Sequence, residues 1–200
     1  MLTVIVTGGI GSGKSAVCAL LRKRGIPVYD CDSRVKELYA SRRSLVPRLE
    51  QALNCPLRQA GGSLDKARLA AVIFSDPAAR ETVESIVYPV LLQDFLRWRS
   101  RQKAPFVVLE SAVILSKPVF DGLAGAVVLV DAPRETRIRR VMERDGASRE
   151  EVMRRLSAQS LPLEKADVIL LNDHAPEALS AAVDRVFFQK NSYICKLLED

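Results

Sequence analysis

Short apolar runs that alternate with helical segments predict an α/β protein built on a parallel sheet covered on both faces. The runs fall at residues 2–6, 26–29, 106–109, 126–130 and 168–171. The first ends in glycines, as a buried strand feeding a tight turn does. Between the runs, helical spacing appears at 14–24, about 134–144, about 148–159 and 176–188. In the first helix Val17, Cys18, Leu20 and Leu21 recur on one side, Lys23 and Arg24 sit where the helix dipole favours cations, and Gly25 stops the turn.

Residues 33–54 and 64–99 carry helical patterns without strand signals. Asn54-Cys55-Pro56 and Gly61-Gly62-Ser63 break them, and Asp76-Pro77 has the form of an N-cap followed by proline at N1. The chain divides accordingly into a core of residues 1–41 and 104–190 and a helical insert at about 42–103. A lid is expected at about 145–165. Residues 189–200 carry no motif and are expected to be a peripheral tail.

Composition excludes several classes of function. With 48% hydrophobic and 27% charged residues, the chain has ample material for one core. The net charge of +6 favours polyanionic partners, whether nucleotides, phosphorylated cofactors or nucleic acid. The four cysteines lack C-x-x-C spacing and His174 is the sole histidine, which argues against zinc. There is no secretory signal, no long apolar run and no basic run with aromatic interleaving of the kind that suggests a nucleic-acid track. The expectation is therefore a cytoplasmic protein that binds neither membrane nor nucleic acid, with its oligomeric state open.

Gly8-Gly9-Ile10-Gly11-Ser12-Gly13-Lys14-Ser15 fits G-x-x-x-x-G-K-[ST], between a predicted strand and a predicted helix. Such a match arises by chance about once in a hundred chains of this length. Its glycines let successive amides point into one hollow, and the helix N-terminus adds positive potential there. Lys14 reaches the terminal phosphates of a nucleoside triphosphate, most simply ATP, and the Ser15 hydroxyl reaches Mg²⁺. Neither D-x-x-G nor N-K-x-D is present, so a GTPase switch is disfavoured and a small-molecule kinase is the economical reading.

Phosphoryl transfer needs a carboxylate to orient the acceptor hydroxyl. Asp30 and Asp32 end the second predicted strand, and alternation along an extended chain would point both the same way. Asp32 is the candidate base, and a helix-capping role is the competing reading for either residue. Glu110 ends the third strand, where it can meet the magnesium water shell; a surface glutamate at a strand exit is the alternative. Arg137, Arg139, Arg140 and Arg144 share one predicted helix. Arg140 and Arg144, four apart, are the candidates to close on phosphates.

Taken together, these segments resemble dephospho-coenzyme A kinases over about residues 2–188. The likeness is carried by Val6-Thr7-Gly8-Gly9-Ile10-Gly11-Ser12-Gly13-Lys14-Ser15, Tyr29-Asp30-Cys31-Asp32, Phe74-Ser75-Asp76-Pro77 and Val130-Asp131-Ala132-Pro133. Arg140-Val141-Met142-Glu143-Arg144-Asp145, Arg155-Leu156-Ser157-Ala158-Gln159 and Ala166-Asp167-Val168-Ile169 continue it. The resemblance implies a P-loop kinase fold with a five-stranded parallel sheet of order 2-3-1-4-5, a helical insert and a mobile lid. It also implies ATP-dependent phosphorylation of the ribose 3′-hydroxyl of dephospho-coenzyme A.

By the same resemblance, Lys14, Asp32 and Arg140 are catalytic. Gly9 to Ala16 together with Arg144 hold the nucleotide, and Ser15 and Glu110 hold the metal. Thr7, Asp30, Tyr88 and Pro89 touch the acceptor. Tyr88-Pro89 stands where the family usually has His-Pro, Ala112 to Ser116 replaces a run that usually ends in Phe-Glu, and the link from Gln159 to Ala166 is short. Another P-loop nucleoside or nucleotide kinase and a catalytically silent ATP-binding regulator are the alternatives.

Overall fold

The computed structural model describes residues 1–159, 163–173 and 176–199. The chain forms two compact units. The sheet unit comprises Met1–Asp30 and Gln102–Asp200, and the helical unit comprises Cys31–Arg101.

In the sheet unit, β1 (Leu2–Thr7), β2 (Val28–Asp30), β3 (Phe106–Glu110), β4 (Ala126–Asp131) and β5 (Val168–Leu171) form one parallel sheet of order β2-β3-β1-β4-β5. β3 is buried throughout and β1 over all but its first residue, which is why both read as unbroken apolar runs in place of alternating patterns. Parallel pairing brings the strand ends to one edge. There Glu110 stands opposite both Val6 and Asp30, and Thr7 stands opposite Leu129.

Helix α1 (Lys14–Lys23) buries Val17, Cys18 and Leu21. It ends at Gly25, whose φ of 79° is left-handed. Gly25 N donates to Arg22 O and Ile26 N to Leu21 O, the paired bonds that satisfy the last carbonyls of a helix. Later in the sheet unit come α6 (Arg134–Asp145), α7 (Arg149–Ser157), α8 (Pro176–Phe187) and α9 (Tyr193–Glu199). Phe106 of β3 and Phe187 of α8 stack with ring centres 6.1 Å apart.

Helix α9 corrects the expectation of a peripheral tail. Ile194 is fully buried in the main core, and Leu197 packs against it. Ser192 Oγ accepts from Cys195 N, capping the helix, and the Tyr193 hydroxyl donates to Asp167 at 3.2 Å. Two turns are too short to show a period, so only tertiary packing reveals the element.

The helical unit contains α2 (Cys31–Ser41), α3 (Leu45–Leu53), α4 (Lys66–Ser75) and α5 (Pro77–Arg99). It begins earlier than the boundary near residue 42 that the sequence suggests, because α2 packs on α3 and α5. Asp65 caps α4 through Arg68 N. Asp76 caps α5 through Ala78 N, with Pro77 at the first helical position as the sequence predicts. Arg34 of α2 forks onto the buried Asp94 of α5 through two bonds of 2.6 and 3.1 Å. No helix among the described residues is long and apolar enough to cross a membrane.

Ile194→Ala removes a fully buried side chain whose pocket is closed by α8 and the sheet. It is expected to lower unfolding free energy by about 2–4 kcal/mol, read as a fall in the denaturation midpoint. A midpoint equal to that of the parent would show that α9 adds nothing to the core.

Candidate active site

The loop between β1 and α1 curls because glycines allow it. Gly11 (φ 77°) and Gly13 (φ 93°) take left-handed conformations that side chains resist. A Cβ at Gly13 would also collide with the Asn172 amide, and one at Gly9 would collide with the Arg137 guanidinium.

What aims the loop is a set of contacts to its carbonyls. Ser12 O accepts from Asn172 Nδ2 at 2.8 Å, with Arg140 Nη1 at 3.5 Å. Ile10 O accepts from Arg137 Nε at 2.9 Å. In a planar trans peptide the oxygen and the next amide hydrogen point opposite ways. Holding Ser12 O and Ile10 O toward α6 and the end of β5 therefore turns Gly13 N–H and Gly11 N–H the other way. Arg140 Nη1 also donates to Asn172 O at 3.1 Å, so arginine and asparagine brace each other. Ile10 N donates to Gln159 Oε1 at 2.8 Å.

Two features mark the loop as an anion site. Ser12 Oγ is the one buried side-chain oxygen or nitrogen among the described residues with no hydrogen-bond partner. Lys14 makes no ion pair or hydrogen bond among them either, although it stands at the N-terminus of α1. An unpaired ammonium, inward amides and a helix N-terminus together fit a polyphosphate.

Beside the loop, Ser15 Oγ donates to Glu110 Oε1 at 2.8 Å. Glu110 is buried, with Arg22 Nη2 3.9 Å from its other oxygen. The Cys18 thiol is also buried near Glu110, and burial first, then that carboxylate, push its pKa far above the ordinary thiol range. Ser15, Cys18 and Arg22 lie on one face of α1, at positions i, i+3 and i+7, so a single helical stripe converges on Glu110. Thr7 is buried at the end of β1, and Ala16 is exposed in the first turn of α1. Among the described residues no cluster of three His, Cys, Asp or Glu could hold a metal ion.

The arginines separate by position on α6. Arg137 and Arg140, one turn apart, reach the loop. Arg144 is largely exposed and pairs with Asp145 at 2.7 Å, which also takes Arg155 at 3.2 Å. These partners hold the Asp145 carboxyl below the usual range, Arg144 foremost. Burial lowers the Arg137 pKa, opposed by Asp131 3.8 Å away. Sequence reasoning singled out Arg144 and missed Arg137, Gln159 and Asn172. The i, i+3 spacing of Arg137 and Arg140 is the signal that pairs those two. Gln159 and Asn172 reach the loop from 149 and 160 residues away, a separation no local pattern reports.

Of the other candidates, Asp30 ends β2 in the sheet unit, and Asp32, Tyr88 and Pro89 lie in the helical unit. β2 ends at Asp30, and Asp32 stands exposed in the first turn of α2, so the expected alternation along an extended chain does not apply to it. The Tyr88 hydroxyl lies 3.5 Å from Glu84 Oε1. Burial, then Glu84, then Asp32 and Cys31 raise its pKa, so it remains a neutral donor within electrostatic reach of Asp32. Pro89, next on α5, is exposed. His174 and residues 160–162 of the expected lid lie outside the described residues.

The profile of the dephospho-CoA kinase family matches residues 2–177. The chain belongs to that family. It is 40% identical over 176 residues to a dephospho-CoA kinase of Porphyromonas gingivalis, covering 86% of each chain. A dephospho-CoA kinase of Thermus thermophilus is 39% identical over 184 residues, covering 90% of this chain and 88% of that one. The crystal structure of TT1252 from Thermus thermophilus superposes with a TM-score of 0.79 at 37% identity, over 93% of this chain and 96% of the other. The sheet order is therefore that of a P-loop kinase, as the sequence suggests.

Gly13→Ala forces a side chain into a left-handed backbone and against the Asn172 amide that holds Ser12 O. The expected result is a loss of about 1–3 kcal/mol in unfolding free energy, with calorimetric binding of a nucleoside triphosphate abolished. Unchanged binding would show that the Asn172 contact does not shape the loop.

Proposed function

We propose that this protein transfers the γ-phosphoryl group of ATP to the ribose 3′-hydroxyl of dephospho-coenzyme A, giving coenzyme A and ADP. The observation that carries the reading is the loop itself: amides aimed by Asn172, Arg137 and Arg140 around an unpaired Lys14, in a chain of the dephospho-CoA kinase family.

Each role follows from chemistry. The transferring phosphoryl group spreads charge over its oxygens, so fixed donors that meet that charge lower the barrier. Lys14 and the loop amides supply them, and Arg140 keeps Ser12 O turned away while remaining beside the site. Ser15 Oγ and the Glu110 carboxylate are hard oxygen donors that suit Mg²⁺, directly or through its waters. When bound there, the ion would supply positive charge to offset that of the phosphates. Asp32 is assigned to orient the acceptor hydroxyl and take its proton, with Asp30, Thr7, Tyr88 and Pro89 as acceptor contacts. Tyr88 supports this as a protonated donor close to Asp32. The helical unit is assigned as the acceptor-binding part, and the segment at about 145–165 as the lid. We place the enzyme in the cytoplasm, in keeping with its four free cysteines.

Incubation with magnesium, ATP and dephospho-coenzyme A is expected to give a product of coenzyme A mass; none at micromolar enzyme would refute the activity. Lys14→Ala is expected to slow transfer by about 10²–10³-fold. Asp32→Asn is expected to lower kcat while ATP affinity, read by calorimetry, stays near that of the parent. Undiminished kcat in Asp32→Asn would remove that carboxylate from the mechanism.

A further inference from the structure

Ile10 of the phosphate loop is held at three points by α6 and α7. Its carbonyl accepts from Arg137 Nε of α6 at 2.9 Å, and its amide donates to Gln159 Oε1, just past α7, at 2.8 Å. Its side chain packs on a small buried cluster of Ile138 and Val141 from α6 and Val152 from α7. Gly9 makes the approach possible, because a Cβ there would collide with the Arg137 guanidinium and lie 3.1 Å from Gln159 Oε1.

These contacts bear on one peptide. Ser12 N donates to Gly9 O at 3.1 Å and closes a four-residue turn. Gly11 is left-handed at its third position, which is the form of a type II turn. Type I and type II turns differ mainly by rotation of the central peptide, and here that peptide carries Ile10 O and the Gly11 N–H. With Ile10 held at nitrogen by Gln159 and at oxygen by Arg137, its two dihedrals are pinned from both sides.

The two clamps do not have the same anchorage. Gln159 N donates to Leu156 O at 3.2 Å, so the residue moves with the end of α7. Helix α7 packs chiefly on α6. Its ion pairs with the preceding segment, Arg149–Glu135 and Arg155–Asp145, are exposed and worth little. The chain enters α7 through Gly146, which is left-handed (φ 64°) and has open space where a side chain would start. Arg137, Arg140 and Asn172, in contrast, hold the loop from α6 and from the end of β5.

We propose that Gln159 is a positioning residue that makes the aim of the Gly11 N–H depend on the docking of α7. The inference rests on the proposed triphosphate site and lid, and deepens that reading. With α7 docked, the turn is fixed and the Gly11 amide meets a phosphate oxygen without rearrangement. With α7 displaced, Ile10 keeps only Arg137, and the central peptide is free to rotate. Linkage makes the effect mutual: the factor by which docking raises triphosphate affinity is the factor by which triphosphate favours docking. The nucleotide thereby draws the lid in through the loop, and no contact between α7 and the nucleotide is needed.

Gln159→Met keeps the length of the side chain and removes its acceptor. The whole protein is tested with a non-hydrolysable ATP analogue and magnesium, reading affinity by calorimetry and amide hydrogen exchange in residues 149–157. In the parent the analogue is expected to slow exchange in α7. In Gln159→Met, α7 should exchange faster without nucleotide, and affinity should fall about threefold to tenfold, the worth of one net hydrogen bond. Gln159→Glu keeps an acceptor for the Ile10 N–H and should return α7 exchange without nucleotide to the parental rate. Asn172→Ala should weaken nucleotide binding and leave that exchange unchanged. A Gln159→Met variant with a lower unfolding midpoint but parental affinity would overturn the proposal, because Gln159 would then only pack. Faster α7 exchange in Asn172→Ala would overturn it too, since loosening the loop anywhere would suffice. A parent that does not bind the analogue would instead strike the proposed activity, and the coupling with it.

Discussion

The Ser12 carbonyl is held by the Asn172 side chain, and Asn172 is in turn held by Arg140. A glycine-rich loop left to itself samples many shapes, and most of them aim no amide anywhere useful. Fixing two carbonyls on the outer side removes that freedom at the positions that matter. The fold then serves these contacts. Asn172 follows directly after β5, Arg140 and Arg137 project from α6 after β4, and the loop itself follows β1. Because β1, β4 and β5 are adjacent and parallel, three strand ends deliver the loop and its clamps to one place.

Electrostatics is handled differently in the two units. In the sheet unit buried charge is matched closely: Glu110 meets Ser15, Cys18 and Arg22, and Arg137 faces Asp131. In the helical unit the Arg34–Asp94 fork ties α2 to α5, with Glu37 as a further partner of Arg34. Four cations farther along, Lys36, Arg42, Arg43 and Lys66, have no such match among the described residues. These cations are mostly exposed and are solvated by water, whereas the Arg34 fork reaches a buried carboxylate that needs a partner.

The sequence shows its strands and its phosphate loop plainly because both rest on local rules. Runs such as Val4-Ile5-Val6 and Val107-Val108-Leu109 are apolar on both faces, and Gly11 and Gly13 occupy positions where only glycine is comfortable. The Asp76 cap is equally local. What stays hidden depends on distance along the chain. Arg137, Gln159 and Asn172 touch the loop across more than a hundred residues. Arg144 looks equivalent to Arg140 by spacing, and only the neighbouring Asp145 shows where it goes. Asp32 reads as strand because Tyr29 and Asp30 are strand, yet the helix begins at Cys31 with no linker between. Helix α9 lacks the length to announce itself.

Cys18 lies in the helix that follows the phosphate loop, sealed from solvent and close to the Glu110 carboxylate. Peroxides and alkylating agents attack thiolates, and this thiol is kept from ionising. Cys55 and Cys195 are only half-buried, so reagents in solvent reach them more readily. Thiol oxidation is therefore expected to start at Cys55 and Cys195, and the phosphate cradle to be among the last parts chemically marked.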